Sequence, residues 1–474
     1  MESARETFEQ AVATIFEYWQ GKQTLGPNQA AYQNVAALQQ AIDLSLPEQG
    51  VPLAALIPDI EAYLRNSTKT YSPQFFNQLW GGTEMTGVLA EMVTSAANTS
   101  MYTYEVAPVA TLLERTLIDR LNQLVGFEAG EGIMVTGSSN ANMIALLCAR
   151  HRCLPDAKQD GLTAQTQPLA AFVSEQAHYS FLKAANLLGL GTKQVIKVPA
   201  DEDDRMDAAQ LEQAIAASLE RGERPFFVGA TAGTTVAGAF DPLPAIAAVS
   251  QKYGLWLHVD GAWGGPVLFS PKYRHLLAGS HLADSFGWDA HKLLGVPLIC
   301  SAILVKQPGT LLSACSSEDT HYIFHDDDDS AYNLGPMSLQ CGRKVDALKF
   351  WLSWKHYGTQ GYAARVERLF ELARYACDRV RSHPDLELVN DPQFLNICFR
   401  YRPCDRTRSE PELDRLNLAI RDRLMLTGQA FVNYACYRNR LTIRLVLANP
   451  KVEEADLDRF FQSVLAAALE EGGD

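Results

Sequence analysis

Three short stretches of the sequence combine residue types that could carry out chemistry on an organic ligand. The first, Leu255–Gly265, reads LWLHVDGAWGG and places Asp260 directly after an apolar run. Because ligands bind at the carboxyl ends of strands in open α/β sheets, a strand here would present this carboxylate to a ligand. Such a carboxylate could pair with a protonated pyridine nitrogen and keep the ring electron-poor. The alternative interpretation is a capping aspartate at a strand-to-loop turn.

The second stretch, Ser285–Leu294, reads SFGWDAHKLL and places Lys292 after a histidine, between apolar residues. A desolvated lysine has a lowered pKa and can form a Schiff base with a carbonyl compound. Most lysines are solvated surface groups, so this stretch says little by itself. The pairing of Asp260 with Lys292 at this separation favours Schiff-base chemistry.

The third stretch, Gly132–Met143, reads GIMVTGSSNANM and leads into a helical pattern. Small residues at a helix start expose backbone N–H groups and hydroxyls to an anion. This is no Walker loop, since the Gly-Lys-Ser/Thr element is missing. A phosphate site and an ordinary polar helix cap both fit the pattern. The candidate phosphate ligands are Gly137, Ser138, Ser139 and Asn140.

Two further segments could approach a flat ligand. His178 follows the strand-like LAAFVSEQ and could stack on a ring, although a lone histidine is more often structural. Ala230–Asp241, ATAGTTVAGAFD, is a Gly/Thr-rich loop after an apolar run, suited to close approach by a ligand.

The elements that must position these residues follow an α/β pattern. Short apolar runs alternate with helical segments, which is typical of a parallel sheet covered on both faces. The helical segments Leu211–Ala217 and Leu243–Tyr253 are plausible crossovers. The β-rich runs are Leu169–Ser174, Val195–Val198, Pro225–Ala230, Leu255–Asp260 and Ile299–Val305.

We divide the chain into three parts: an N-terminal helical arm (1–85), a large α/β domain (86–345) and a small α+β C-terminal domain (346–474). The arm has helical spacing of apolar residues over 5–20 and 29–43. The C-terminal part contains long helical stretches and a last helix over about 452–470. Its strand candidates are Phe394–Tyr401, Ala430–Tyr434 and Arg440–Leu447.

Composition narrows the class of protein. The 474 residues carry 41 basic and 55 acidic side chains, a formal charge of −14. This balance argues against nucleic-acid or anionic-membrane partners, and it requires any site for an anion to be locally basic. The start of the chain lacks the pattern of a signal peptide. Nine cysteines without a CxxC pair indicate reduced thiols and a cytoplasmic location.

Several motifs together resemble the group II pyridoxal-phosphate (PLP) decarboxylases, and most closely the glutamate, cysteine sulfinate and aspartate decarboxylases. The likeness spans about residues 70–450. It implies PLP as cofactor, the type I (aspartate aminotransferase-like) fold with a mostly parallel seven-stranded sheet, and an obligate homodimer with its active site at the interface. The motifs are HVDGAWGG, WDAHKLLGVPLICSAILVK, TAGTTVAGAFDPL, FFNQL, YTYEVAP and LQCGRKVDALKFWLSW.

The resemblance also implies a role for each matching residue. Lys292 would bind PLP as a Schiff base, Asp260 would pair with the pyridine nitrogen, and His178 would stack on the ring. Thr234 and Ala262 would lie near the ring, while His291 and the Ser138–Asn140 turn would help to hold the phosphate. Three further residues would meet the substrate: Tyr322 as proton donor to Cα, Arg444 at a carboxylate, and Gln78 at the acidic side chain.

Three positions bear on substrate length. Trp80 stands where the glutamate enzymes have a small residue, and Ser100 and Tyr102 stand where those enzymes are expected to have Asn and Phe. A large ring should shorten the pocket, and one methylene is worth about 1–3 kcal/mol. We therefore predict cysteine sulfinate (giving hypotaurine) or aspartate (giving β-alanine) as substrate. In the alternative interpretation Trp80 is only core packing.

Other functions stay open at this stage. They are decarboxylation of glutamate, diaminobutyrate or an aromatic amino acid, a PLP aminotransferase, and a catalytically silent relative. The presence of Lys292, Asp260, His178 and Tyr322 argues against the silent relative, and Arg444 and Gln78 argue for an acidic side chain.

The chain departs from the family pattern at three places. Asp289-Ala290 replaces the common Asn-Pro before His-Lys, and TGSSNAN replaces the commoner phosphate turn. After Tyr322 comes NLGPMSLQCGR, preceded by Asp326–Asp329, which we interpret as a solvated loop tip rather than a metal site. An aspartate near a phosphate is unfavourable unless it points away or is hydrogen-bonded.

Overall fold

The computed structural model describes residues 2–20, 32–162, 167–318, 320, 322–325, 327–404 and 407–472, which form 14 α-helices and 12 β-strands. The helices are α1 (Glu2–Trp19), α2 (Val35–Ala41), α3 (Ile57–Asn66), α4 (Met85–Ala97), α5 (Pro108–Val125), α6 (Ser138–Cys153), α7 (Ala157–Asp160), α8 (Ser180–Leu187), α9 (Ala208–Glu220), α10 (Leu243–Tyr253), α11 (Thr310–Cys315), α12 (Ala347–Ser382), α13 (Glu410–Thr427) and α14 (Glu454–Glu471). The strands are β1 (Phe75–Phe76), β2 (Glu131–Val135), β3 (Leu169–Ser174), β4 (Val195–Val198), β5 (Arg224–Thr231), β6 (Trp256–Gly261), β7 (Ser285–Asp289), β8 (Ser301–Val305), β9 (Leu386–Leu388), β10 (Asn396–Tyr401), β11 (Phe431–Tyr437) and β12 (Arg440–Val446).

The larger sheet has seven strands in the order β2-β8-β7-β6-β5-β3-β4. Strands β7, β6, β5, β3 and β4 pair in parallel, whereas β8 is antiparallel to both of its neighbours. This confirms the predicted α/β class with a mostly parallel sheet. All five predicted β-rich runs overlap strands of this sheet, whereas β2 and β7 are not among the predicted runs.

Burial on both faces explains why these strands read as continuous apolar runs. Every residue of β3, β6, β7 and β8 is buried. Helix α6 packs against β6, β7 and β8, and α9 and α10 pack against β5. A parallel sheet covered by helices in this way needs apolar side chains on both faces.

The smaller sheet has five strands in the order β1-β11-β12-β10-β9, with α13 packed against β11, β12 and α14. The three strands predicted near the C-terminus match β10, β11 and β12. The other two were missed because two or three residues are too short to show an alternating pattern. The predicted helix over 5–20 matches α1, and that over 29–43 contains α2, with residues 29–31 outside the described ranges.

The chain divides into two compact units. The first comprises Met1–Gly82, Tyr375–Val389 and Cys398–Asp474, and the second comprises Thr83–Arg374 and Asn390–Ile397. Most of the predicted N-terminal arm thus belongs to the same unit as most of the predicted C-terminal domain. The division into 1–85, 86–345 and 346–474 stays a prediction.

A buried ion pair joins three elements of the second unit. Glu114 on α5 is fully buried, and its Oε2 accepts a hydrogen bond from Arg343 Nη1 at 2.8 Å. Its Oε1 accepts from the backbone N–H of Met134 on β2 at 2.9 Å. The pair therefore fixes α5 to the edge strand of the sheet and to the segment around residue 343.

Glu114→Gln is expected to lower the free energy of unfolding by about 3–5 kcal/mol, because it leaves the guanidinium of Arg343 buried without its counter-charge. Urea unfolding followed by circular dichroism measures the change. Glu9→Gln is the matched control, since the Arg5–Glu9 pair on α1 is largely exposed and such pairs contribute little. Equal effects of the two substitutions would contradict the structural importance of the buried pair.

Candidate active site

Asp260 lies near the carboxyl end of β6, where the parallel register sets it opposite Thr231 on β5 and Gly287 on β7. Its side chain is buried, with 5% of the residue exposed. Oδ2 accepts a hydrogen bond from Asn142 Nδ2 at 2.8 Å, and Oδ1 accepts from the backbone N–H of Ala262 at 3.2 Å. The carboxylate is thus held by neutral donors at the edge of the sheet where ligands bind.

Asn142, on α6, links Asp260 to a buried histidine. Its Nδ2 also donates to Ser180 Oγ at 2.9 Å, so its Oδ1 is the atom that accepts from His258 Nε2 at 2.9 Å. These partners assign the amide orientation, and they assign the proton of His258 to Nε2.

The other side of His258 ends in two further hydrogen bonds. Nδ1 accepts from the hydroxyl of Ser285 at 2.8 Å, and that hydroxyl accepts from Trp256 Nε1 at 2.8 Å. Burial lowers the pKa of His258 from 6.5 to about 4, against the opposing effect of the Asp260 charge. At neutral pH the His258 ring is therefore neutral. A single proton on Nε2 agrees with the donor and acceptor roles of all these hydrogen bonds.

Lys292 follows β7 and remains partly accessible, with 21% of its side chain exposed. Its Nζ lies 3.2 Å from Oδ2 of Asp289, the last residue of β7. His291 Nε2 lies 3.7 Å from the same oxygen. The lysine therefore sits at the same edge of the sheet as Asp260, one strand away.

The predicted phosphate turn forms the N-terminus of the 16-residue helix α6. Its N-cap, Gly137, has φ +91°, and a Cβ added there would meet no atom within 4 Å. The first backbone N–H groups of a helix have no intrahelical acceptor, so those of Ser138 and Ser139 need a partner from outside the helix. The amide of Asn140 donates to Gly137 O at 2.9 Å. An anion can bind here through backbone N–H groups.

One predicted phosphate ligand has a different partner in this structure. The hydroxyl of Ser138 donates to Asp289 Oδ1 at 2.7 Å and is buried. Its proton is therefore used inside the protein, which leaves the backbone N–H of Ser138 as the donor that it could offer to an anion.

His178 lies between β3 and α8, close enough to Asp260 and Lys292 for their charges to act on it. Burial lowers its pKa, the charges of Asp260 and Asp289 oppose that shift, and the charge of Lys292 adds to it. Its Nδ1 accepts from the backbone N–H of Ser180 at 3.3 Å. These electrostatic effects show that the structure brings His178, Asp260 and Lys292 into one neighbourhood.

The two small residues predicted beside the ring are buried. Thr234 follows β5 and is 1% exposed, and its Oγ1 accepts from Ala239 N at 3.0 Å. Ala262 follows β6 and is 5% exposed, and its amide binds Asp260.

Three other predicted site residues also belong to the second unit. Two of them accept hydrogen bonds within the protein, and the third is exposed. Ser100 Oγ accepts from Arg343 N at 3.2 Å, and the carbonyl of Tyr102 accepts from Gly335 N at 2.9 Å. Tyr322 is 78% exposed, and its phenol is turned to solvent. Asp326, in the predicted acidic loop tip, lies outside the described residues.

The first unit contains Gln78, Trp80 and Arg444. Arg444 on β12 is buried, and its Nη2 donates to the carbonyl of Asn77 at 3.2 Å. Gln78 Nε2 donates to the side chain of that asparagine at 2.9 Å, so both predicted substrate ligands meet at one residue. Burial lowers the pKa of the Arg444 guanidinium. Trp80 packs against Phe75, with ring centroids 5.6 Å apart.

Sequence reasoning missed Asn142, His258 and Ser301 and treated Asp289 only as a departure from the family pattern. For two of these residues, the spacing from a predicted site residue is a sequence signal that could have found them. His258 stands two residues before Asp260, on the same face of a strand. Asn142 stands four residues after Ser138, on the same face of a helix.

Comparison with known proteins identifies the family. The family model described as pyridoxal-dependent decarboxylase conserved domain matches residues 36–402. The chain belongs to this family. It is therefore a PLP-dependent amino-acid decarboxylase, and the predicted family, fold, cofactor and reaction are confirmed.

The decarboxylase is similar to two groups of curated relatives. Mouse (Mus musculus) cysteine sulfinic acid decarboxylase is 42% identical over 430 residues, which cover 89% of this chain and 87% of that protein. Mouse acidic amino acid decarboxylase GADL1 is 40% identical over 430 residues, covering 89% and 78%. A crystal structure of mouse CSAD matches with a TM-score of 0.94 and 37% identity over 98% of each chain.

The residues of this decarboxylase fit PLP. Asp260 offers an oriented carboxylate to the pyridine nitrogen, and Lys292 offers an accessible amino group one strand away. The N-terminus of α6 offers N–H groups and open space to a phosphate.

Within the described ranges, no helix has the length and apolar character that a membrane span requires.

His258→Gln is expected to reduce the loss of stability in mild acid. Between pH 6.5 and about 4 the unfolded chain binds a proton on His258 that the folded chain does not, so the folded state loses stability as the pH falls through this window. Wild type should therefore lose about 2 kcal/mol more unfolding free energy than the variant between pH 7 and pH 4.5. Urea unfolding at both pH values measures this difference. His275→Gln, at an exposed position, should behave like wild type; an equal loss in His258→Gln would contradict the assignment.

Proposed function

We propose that this decarboxylase acts on a short acidic amino acid, cysteine sulfinate (giving hypotaurine) and/or aspartate (giving β-alanine). The observation that carries the proposal is the 42% identity over 430 residues with mouse cysteine sulfinic acid decarboxylase. The relative named acidic amino acid decarboxylase supports the same substrate class. Glutamate is the alternative substrate, since it differs from aspartate by one methylene.

The charges of the chain support an acidic substrate that is held locally. A protein with a formal charge of −14 repels anions on average, so an acidic substrate needs a buried cation. Arg444 is such a cation, and Gln78 shares its partner Asn77. We assign Arg444 to a substrate carboxylate and Gln78 to the acidic side chain. Trp80, Ser100 and Tyr102 are proposed to limit the length of the substrate.

We assign the remaining residues to the cofactor and to proton transfer. Bound PLP supplies an electron sink for the pair left on Cα when CO2 departs. Lys292 would bind the cofactor covalently and give it up to the substrate amine. Asp260 would hold a proton on the pyridine nitrogen, kept in place by the amide of Asn142. His178 would cover the ring, with Thr234 and Ala262 beside it.

The phosphate would bind at the N-terminus of α6, through the amides of Ser138 and Ser139, with His291 and Asn140 nearby. Tyr322 would deliver a proton to Cα. Its phenol is exposed in this structure, so that role requires it to approach the substrate. Exclusion of water from the site would then favour protonation by a single donor.

The decarboxylase is further proposed to form a homodimer with its active site at the interface. An apolar stripe on α4 supports this, since Met85, Leu89 and Val93 recur every four residues and are 49%, 54% and 48% exposed. Val109, near the start of α5, is 69% exposed. Exposed apolar stripes of this kind mark protein interfaces. A cytoplasmic location is supported by the nine cysteines, none of which forms a disulfide.

The substrate assignment predicts the product ratio. Equal amounts of cysteine sulfinate, aspartate and glutamate are supplied with PLP, and the amines are quantified by chromatography. Hypotaurine or β-alanine should exceed γ-aminobutyrate by about tenfold or more, because one methylene separates the substrates. Excess γ-aminobutyrate would overturn the short-substrate proposal and keep the reaction. Lys292→Ala should yield no amine, and amine production by that variant would overturn its assignment to the cofactor.

The dimer proposal predicts the effect of a charge in the apolar stripe. Leu89→Glu should convert the dimer to a monomer in sedimentation velocity, because burial of an unpaired carboxylate at the interface is costly. Leu469→Glu is the matched control on α14, where the leucine is 75% exposed, and it should remain dimeric. A wild-type monomer, or a Leu89→Glu dimer of unchanged affinity, would argue against this interface.

A further inference from the structure

Asp289 has two carboxylate oxygens with different surroundings. The residue is 2% exposed. Oδ1 accepts hydrogen bonds from the hydroxyls of Ser138 at 2.7 Å and Ser301 at 2.5 Å. Oδ2 faces Lys292 Nζ at 3.2 Å and His291 Nε2 at 3.7 Å. One oxygen is therefore fixed by the fold, and the other faces the lysine.

The carboxylate is charged at neutral pH. Burial alone would raise the pKa of Asp289, but the charge of Lys292, the nearby His291 and the hydroxyls of Ser301 and Ser138 together outweigh burial and lower it. A buried carboxylate at this distance favours the protonated form of the lysine.

We propose that Asp289 is a positioning residue that holds Lys292 as an ammonium ion before the cofactor arrives, and thereby makes cofactor capture depend on pH in this chain. The inference rests on the proposed assignment of Lys292 to the cofactor. It goes beyond that assignment because it gives a function to the aspartate that replaces the common asparagine.

The chemistry of capture requires the ammonium ion to lose a proton. A lysine attacks a carbonyl carbon only as the neutral amine. The ammonium first gives one proton to solvent, and the amine then forms the C–N bond. Its two remaining hydrogens leave with the carbonyl oxygen as water. Oδ1 of Asp289 would keep both hydroxyl donors after capture, so the carboxylate would stay hydrogen-bonded.

Other ionisable groups face this pair from the neighbouring elements. His178, after β3, feels the charges of Asp260 on β6, of Lys292 and Asp289, and of Lys183. In addition to burial, the charge of Lys349 on α12 lowers the pKa of His291. The charge of Asp289 adds to the burial that raises the pKa of the Cys300 thiol. Burial lowers the pKa of both His178 and His291. Asp289 is the carboxylate that approaches the Lys292 ammonium within ion-pair distance in the described structure.

Asp289→Asn removes the charge with little change in shape. The amide oxygen can keep the two serine hydroxyls that Oδ1 accepts. The amide nitrogen then replaces Oδ2, and its N–H groups face Lys292 Nζ. A donor at this position favours the neutral amine, which can accept a hydrogen bond. Ser301→Ala is the matched control, because it removes one hydrogen bond to Asp289 and keeps the charge.

The experiment measures Lys292 in the cofactor-free, full-length protein. Trace acetic anhydride is applied between about pH 6 and pH 10, and acetylation of the Lys292 peptide is quantified by mass spectrometry. The pH at which acetylation is half-maximal, its midpoint, should fall by about one unit or more in Asp289→Asn. At a pH below both midpoints, this shift corresponds to about tenfold more neutral amine on Lys292. Ser301→Ala should keep a midpoint close to that of wild type. At pH 7 the attachment of added PLP, followed by visible absorbance, should be faster in Asp289→Asn by a similar factor.

The outcomes separate this inference from the proposed function. An unchanged midpoint in Asp289→Asn, or an equal shift in Ser301→Ala, would overturn the role of the Asp289 charge. If wild type fails to attach PLP at Lys292, the assignment of that lysine falls, and the inference about capture falls with it. In that case the pH midpoints of Lys292 acetylation still show whether the charge of Asp289 acts on Lys292.

Discussion

The burial of two carboxylates at the ends of adjacent parallel strands is the constraint on which the rest of the site depends. Asp260 near the end of β6 and Asp289 at the end of β7 are 5% and 2% exposed. An ionised group in such surroundings costs several kcal/mol unless hydrogen bonds or counter-charges replace water (about 1–3 kcal/mol for each unmade bond). Helix α6 supplies a partner to each of them. Ser138 donates to Asp289 and Asn142 donates to Asp260, and these two residues are one helical turn apart.

This arrangement also sets the position of the helix N-terminus. Because α6 is fixed to both carboxylates through its first turns, the open N–H groups of that end are fixed relative to Lys292 and Asp260. The same contacts thus satisfy two buried charges and orient a place for an anion. The two carboxylates differ in their partners: amides hold Asp260, whereas Lys292 and His291 face Asp289. The donors that hold Asp260 are therefore neutral, which suits the proposed pairing of this carboxylate with a ring nitrogen.

Much of this could be predicted from the sequence, for reasons that are local. Strands β3 and β4 match the predicted limits because buried parallel strands appear as short apolar runs. Asp260 stands out because a charged residue directly after such a run is unusual, and Lys292 stands out because it follows a histidine between apolar residues. Strands β1 and β9 are too short for a pattern, and their pairing is decided by tertiary contacts. The hydroxyl of Ser138 was predicted to bind phosphate, but its partner, Asp289, lies 151 positions along the chain. Bonds of that kind leave no local signal.

The charge balance at this edge of the sheet has a consequence for anion binding. Burial lowers the pKa values of His178 and His291, which disfavours their cationic forms at neutral pH. Two carboxyl groups, Asp260 and Asp289, share this edge with Lys292, whose amino group already lies beside Asp289. If a phosphate binds at this edge as we propose, these side chains offer it little positive charge. Its charge would then be met chiefly by the N–H groups of α6 and the helix dipole, equivalent to roughly half a positive charge. The glycine at the N-cap leaves room for an anion to approach, since a Cβ at Gly137 would meet no atom within 4 Å.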